Sequence, residues 1–81
     1  MHYNKLLQML DSSPYLSVGL DVGADFTWMS IALPNGSFWG KPFKIIHDDP
    51  YSREMAVAKI KEAQELYSLK SRCFLESTGI Y

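Results

Sequence analysis

The chain has a single cysteine, Cys73, and this excludes an internal disulfide. Cys73 lies in an apolar, strand-like run, so we expect a buried and inert thiol. No apolar run approaches the roughly 18–20 residues that a membrane-spanning helix requires. The LLQML stretch near the start is too short and too interrupted for a signal peptide. These absences predict a cytoplasmic protein with no membrane partner.

Net charge is also nearly absent, since the formal value at pH 7 is −1 and the pI is about 6.0. The sequence therefore lacks the basic surface typical of nucleic-acid-binding domains, which counts against DNA binding by this segment alone. The composition, 47% hydrophobic and 21% charged, is typical of a globular protein and excludes disordered and collagen-like classes. A chain of 81 residues forms one domain at most.

Periodicity and turn signals divide the first half of the chain. Apolar residues at i, i+3, i+4 and i+7 predict a short helix over residues 3–10, followed by a linker to residue 14. Buried strands are predicted over 15–22 and 27–33. The Asn35-Gly36 pair that follows is a strong hairpin signal, so the chain should return antiparallel as a third strand over 37–46.

The second half should contain one helix and one strand. Asp49 before Pro50 is typical of a helix N-cap, and residues 71–76 have the pattern of a fourth strand. The apolar face of the helix is predicted from residues at helical spacing: Val57, Ile60, Ala63 or Gln64, and Tyr67. A strand reached through a helix normally runs parallel to its partner with a right-handed crossover. The predicted fold class is therefore α/β, β-β-β-α-β, with a mixed sheet in the order 3-2-1-4.

Two carboxylates stand out within this arrangement. Asp21 is a charged residue in an otherwise apolar first strand, and Glu76 ends the fourth strand. If the two strands are parallel neighbours, both residues lie at the edge where open α/β sheets bind ligands. Paired carboxylates are costly unless a proton or cation lies between them, and a hard divalent ion such as Mg²⁺ fits oxygen ligands. The pair is thus a candidate metal and catalytic site.

Plainer interpretations exist for each of these residues and for their neighbours. Asp21 could cap a turn, and Glu76 could simply be exposed at the end of a strand.

His2 and His47 lack the spacing of zinc ligands, so we expect surface histidines. Four aromatic residues interleaved with Lys41 and Lys44 could stack on single-stranded nucleic acid, although filling a core or covering a sheet face is the favoured interpretation: Trp28, Phe38, Trp39 and Phe43.

Three short motifs carry a resemblance to a known family. LDVG at 20–23, KPFKI at 41–45 and LESTGIY at 75–81 resemble the N-terminal domain of DEDD-type insertion-sequence transposases, which include the Piv-like DNA invertases. The resemblance implies a RuvC-like, RNase H-like fold over residues 15–81. It gives Asp21 and Glu76 the roles of the first aspartate and the glutamate of an acidic tetrad. Ala24 departs from the family, in which many members have a lysine shortly after the first aspartate.

The resemblance implies a function in DNA transposition and recombination. The expected protein is the N-terminal fragment of a transposase, with DNA and a structured guide RNA as partners of the full-length protein and Mg²⁺ as cofactor. The remaining two aspartates and a serine-containing domain are expected beyond Tyr81, so this fragment alone should be inactive and bind metal weakly. An edge strand should also favour homo-oligomers. The alternatives are a nucleotide-binding domain of the actin and sugar-kinase type, or a non-catalytic remnant.

Overall fold

Within the part of the chain that the structure describes, four strands and one helix follow one another in the order β-β-β-α-β. A computed structural model describes residues 13–77, so the helix predicted over 3–10 lies outside the described residues. The elements have the following bounds: β1 Leu16–Val22, β2 Phe26–Ala32, β3 Phe43–Ile46, α1 Pro50–Tyr67 and β4 Ser71–Ser77. Within this part of the chain no helix is both long and apolar enough to cross a membrane.

The strands form one mixed sheet in the order β3-β2-β1-β4. β2 is antiparallel to both β1 and β3, whereas β4 is parallel to β1. The predicted α/β class and the order 3-2-1-4 are therefore confirmed. β4 is an edge strand of the described sheet, and the expected self-association through this edge stays a prediction.

The connection between β2 and β3 is longer than the sequence predicts. The Asn35-Gly36 turn does form, because the Leu33 amide donates to the Ser37 carbonyl at 2.7 Å and Gly36 has a φ of 93°. The chain then pairs with β2 only through the isolated bridge from Phe38 to Ala32. Gly40, with a φ of 73°, interrupts the extended backbone, so the third strand is Phe43–Ile46 rather than 37–46.

Helix α1 begins and ends at well-formed caps. The Asp49 side chain accepts a hydrogen bond from the Tyr51 amide at 3.1 Å, and Pro50 occupies the first turn, as predicted. The helix ends at Ser68, whose left-handed φ of 54° lets its amide donate to the Gln64 carbonyl. A short link then returns the chain to β4.

The core lies between α1 and one face of the sheet. It consists of buried residues from β1, β2 and α1: Leu16, Val18, Met29, Ile31, Ala56 and Ala63. The helix therefore approaches the sheet through alanines, together with the buried Ser52. The predicted helix face is wrong for Val57 and Tyr67, which are exposed, because the small side chains rather than the large ones allow this close approach.

The prediction that Cys73 is buried is wrong, because α1 does not cover all four described strands. α1 packs against β3 and the centre of the sheet, which leaves the helix-side face of β4 exposed. Cys73, opposite Val18 in the register, is exposed rather than buried. Leu75 on the same strand is also largely exposed.

Candidate functional site

The register between β1 and β4 brings the two predicted site residues side by side. The strands are parallel, and Asp21 is the direct partner of Glu76. Both residues lie near the carboxyl ends of their strands, the edge at which open α/β sheets bind ligands. The predicted parallel neighbours are thus confirmed.

Asp21 faces away from the helix. Its side chain is exposed, whereas Leu16 and Val18, which alternate with it along β1, are buried in the core. Asp21 lines a groove of about 760 Å³ together with residues from β1, β2, β4 and the connection after β2: Gly19, Leu20, Trp28, Ser30, Phe38, Pro42, Phe74 and Leu75. The carboxylate is therefore accessible to a ligand from this groove.

The turn that follows Asp21 is held by backbone hydrogen bonds and by a histidine. The Gly23 amide donates to the Phe26 carbonyl at 2.9 Å. His47 lies at the end of β3 and reaches back to this turn, with Nδ1 3.1 Å from the Ala24 carbonyl oxygen and Nε2 2.8 Å from the Thr27 hydroxyl. A carbonyl only accepts, so Nδ1 carries a proton and donates.

His47 was expected to be an ordinary surface histidine, and this is wrong. The side chain is half-buried and links the turn after β1 to the start of β2. The backbone carbonyl of His47 also accepts a hydrogen bond from Arg53 Nη1 of α1 at 3.3 Å. The sequence offered no signal for this role, because the histidine and its partners are far apart along the chain and form no motif.

Ala24 occupies the position where many members of the resembled family have a lysine. It is exposed, and its carbonyl accepts from His47. Among the residues whose side chains the structure describes, no group of three or more His, Cys, Asp or Glu residues lies close enough to hold a metal ion. The donors that the register supplies are therefore two carboxylates, a set that suits a hard cation with further oxygen ligands.

The four aromatic residues singled out in the sequence separate into two groups. Trp39 and Phe43 pack against the core, as expected. Trp28 and Phe38 are 42% and 73% exposed and both line the groove beside Asp21. The latter two rings are thus placed to contact a ligand.

Comparison of the chain with protein-family models, curated proteins and solved structures finds no match. A proposal of function consequently depends on the motifs and on where the fold places them. LDVG ends β1 and continues into the turn, and KPFKI leads into β3. The third motif begins on β4, at Leu75.

Replacing Gly23 by alanine should disturb the turn that positions Asp21. A Cβ atom at Gly23 would lie 2.9 Å from the Phe26 carbonyl oxygen, closer than real Cβ contacts allow. We expect a loss of about 1–3 kcal/mol in the free energy of unfolding, measured by urea denaturation. Gly19→Ala is the matched control, because its Cβ would lie 4.0 Å from the nearest atom. Equal destabilisation by the two substitutions would contradict this account.

Proposed function

We propose that this chain contributes Asp21 and Glu76 to the divalent-metal site of a DEDD-type transposase with an RNase H-like catalytic domain. The observation that carries the proposal is the parallel register in which the two residues are direct partners. This register supports a shared site for Asp21 and Glu76, which the LDVG and LESTGIY motifs identify independently.

The fold supports the same proposal. An RNase H-like domain begins with three antiparallel strands, a helix and a parallel fourth strand beside the first, and the described elements follow this order. The resemblance in sequence and the arrangement of the strands agree without depending on each other. The other two acidic residues and the serine domain of such an enzyme have no counterpart within residues 1–81.

Each residue has a definable role in the proposed chemistry. Asp21 and Glu76 would hold Mg²⁺ through carboxylate oxygens, and neighbouring positions around the ion would be filled by water or by phosphate oxygens of DNA. The ion, when bound, would supply Lewis-acid stabilisation of the attacking and leaving oxygens in phosphodiester cleavage. Gly23 and His47 would act on the reaction only through the turn, by fixing the end of β1.

The nucleotide-binding alternative is less well supported. It depends on Asp21 and Thr27 contacting a phosphate in the manner of an actin-type first loop. Thr27 is buried and its hydroxyl lies 2.8 Å from His47 Nε2, so it does not project into the loop. We therefore retain the transposase as the proposed function, with DNA and a guide RNA as partners implied by the resemblance.

Paramagnetic broadening by Mn²⁺ tests the proposed metal site on the 81-residue chain itself. Mn²⁺ replaces Mg²⁺ at oxygen ligands and broadens nearby amide signals in a ¹H–¹⁵N NMR spectrum. We expect the amides of Asp21 and Glu76 to lose intensity first, at millimolar Mn²⁺ because two carboxylates bind weakly. Asp21→Asn should abolish this effect.

The matched control is Asp48→Asn, since Asp48 is also an exposed aspartate but lies in the turn before α1. This substitution should leave the broadening at β1 and β4 unchanged. Broadening centred on Asp48 and Asp49, with unchanged signals at Asp21 and Glu76, would contradict the proposed site.

A further inference from the structure

The face of the sheet opposite α1 carries an organised set of aromatic and basic side chains. We call this surface the open face, because α1 packs on the opposite side of the sheet; among residues 13–77, the connection between β2 and β3 and the segment before β1 border it. Its members follow from the register and from alternation along each strand: Ser17, Gly19, Asp21, Phe26, Trp28, Ser30, Lys44, Ile46, Arg72 and Phe74.

Two pairs of rings flank the groove on this face. On one side Phe26 and Trp28 meet edge to face, with ring centroids 6.1 Å apart, and Lys44 Nζ lies 4.3 Å above the Phe26 ring. On the other side Tyr15 and Phe74 have centroids 6.4 Å apart, and the Arg72 guanidinium lies 4.4 Å from the Tyr15 ring. Each side of the groove therefore combines an aromatic surface with a cation.

Gly19 lies in the floor between the two ring pairs, and the backbone does not require a glycine there. Its φ lies outside the positive range, and an added Cβ would be 4.0 Å from the nearest atom, the Ser30 carbonyl oxygen. A glycine inside a strand normally costs stability. A strand glycine often marks a bulge, a tight bend or close approach of a ligand or another backbone. The register on both sides of β1 is continuous through Gly19, so a bulge does not explain it.

Basic residues lie on or beside this face although the whole chain has a net charge of −1. Lys44 and Arg72 each lie against one of the two ring pairs. Lys41 borders a smaller cavity that shares Phe38 and Pro42 with the groove. Asp21 lies on the same face and Glu76 is its partner in the register, so the two candidate metal ligands offset part of this positive charge. Basic side chains therefore lie beside the site that is proposed to hold a cation.

We propose that the open face binds single-stranded DNA, with bases stacked on Trp28, Phe38 and Phe74 and phosphates near Lys44 and Lys41. This inference rests on the proposed function, because the groove leads the strand to Asp21. Exposed rings with interleaved cations match the requirements of an unpaired strand, whose bases present free aromatic faces. A duplex buries those faces in its own stack and offers nothing for the rings to contact.

Fluorescence anisotropy of a labelled twelve-nucleotide strand, titrated with the 81-residue chain in EDTA, measures the binding. We expect a Kd of about 10⁻⁴–10⁻⁶ M that weakens as salt increases. Trp28→Ala should weaken it by about 5- to 100-fold, the loss of one stacked base. Tyr51→Ala, which removes a 69% exposed ring from α1, should leave it unchanged.

Two further variants separate stacking from charge and from folding. Gly19→Val should preserve or raise the melting temperature, because valine favours strands, yet abolish DNA binding by filling the floor of the groove. Lys44→Gln should reduce the slope of log Kd against log salt by about 0.7, the value for one phosphate contact on a single strand. Lys61→Gln, on the exposed surface of α1, should leave the slope unchanged.

Three outcomes would each overturn the inference: equal affinity for a DNA duplex of the same length, tighter binding of a single RNA strand of the same sequence, or no effect of Trp28→Ala and Gly19→Val. A concentration-dependent dimer in sedimentation that Gly19→Val disrupts would instead assign the open face to a second copy. Loss of DNA binding with Mn²⁺ broadening retained at Asp21 overturns this inference alone. DNA binding in EDTA without that broadening overturns the proposed metal site alone.

Discussion

Asp21→Ala and Glu76→Ala should each reduce strand exchange by about a thousandfold or more in a recombinase that carries this segment. Each substitution removes a carboxylate ligand of the proposed ion, and a bound metal supplies several kcal/mol of transition-state stabilisation. A thousandfold loss corresponds to about 4 kcal/mol in the activation free energy. The measurement is the rate of recombinant product formation at saturating Mg²⁺.

Asp25→Ala provides the control for this experiment. Asp25 is exposed and lies in the turn directly after β1, so its removal changes the local charge equally without touching the register pair. The strand-exchange rate of the Asp25→Ala variant should remain within a few-fold of that of the unsubstituted recombinase. Circular dichroism should show the same fold for Asp21→Ala, Glu76→Ala and Asp25→Ala. A fully active Asp21→Ala enzyme would refute the proposed role.

Leu16→Ala should remove a large part of the stability of the domain. The side chain is 0% exposed and lies in the core beside the alanines of α1. Leucine-to-alanine substitutions at such positions cost about 2–5 kcal/mol. A domain of this length has a free energy of unfolding of only about 4–12 kcal/mol, so urea denaturation should show a much lower midpoint.

Leu66→Ala is the matched substitution on the surface of α1. Leu66 is 63% exposed, and removal of its side chain should change the free energy of unfolding by less than about 0.5 kcal/mol. Similar midpoints for the two variants would show that the packing between α1 and β1 contributes little to stability.

The order and pairing of the strands were predictable from local signals. The Asn35-Gly36 turn specifies an antiparallel return, and Asp49-Pro50 specifies where the helix begins. The crossover rule then places β4 beside β1, which determines the pairing of Asp21 with Glu76. The candidate site could therefore be located from the sequence because it depends on register alone.

Burial was less predictable, because it depends on how one helix lies across four strands. Hydropathy marks Cys73 and Val57 as core residues, yet both are exposed. The reason is that Ala56 and Ala63, rather than the larger residues, determine the line along which α1 contacts the sheet. Periodicity reports that a helix has an apolar side but not which strands that side covers.

The position of His47 illustrates a second limit. Its ring joins two segments that the sequence separates, and its bonds to Ala24 and Thr27 depend on the exact end of β3. Sequence patterns place strand ends only to within a few residues, and β3 is itself shorter than predicted. A side-chain contact of this kind requires coordinates.

β1 is an inner strand, with β2 on one side and β4 on the other, and its inward side chains are anchored in the core. Partial openings of a small domain begin at edges and connections and leave the most enclosed hydrogen bonds until last. Amide protons of β1 should accordingly exchange with solvent most slowly, close to the rate set by global unfolding. Asp21 therefore lies on the strand that keeps its geometry while the edge strands of the sheet open transiently.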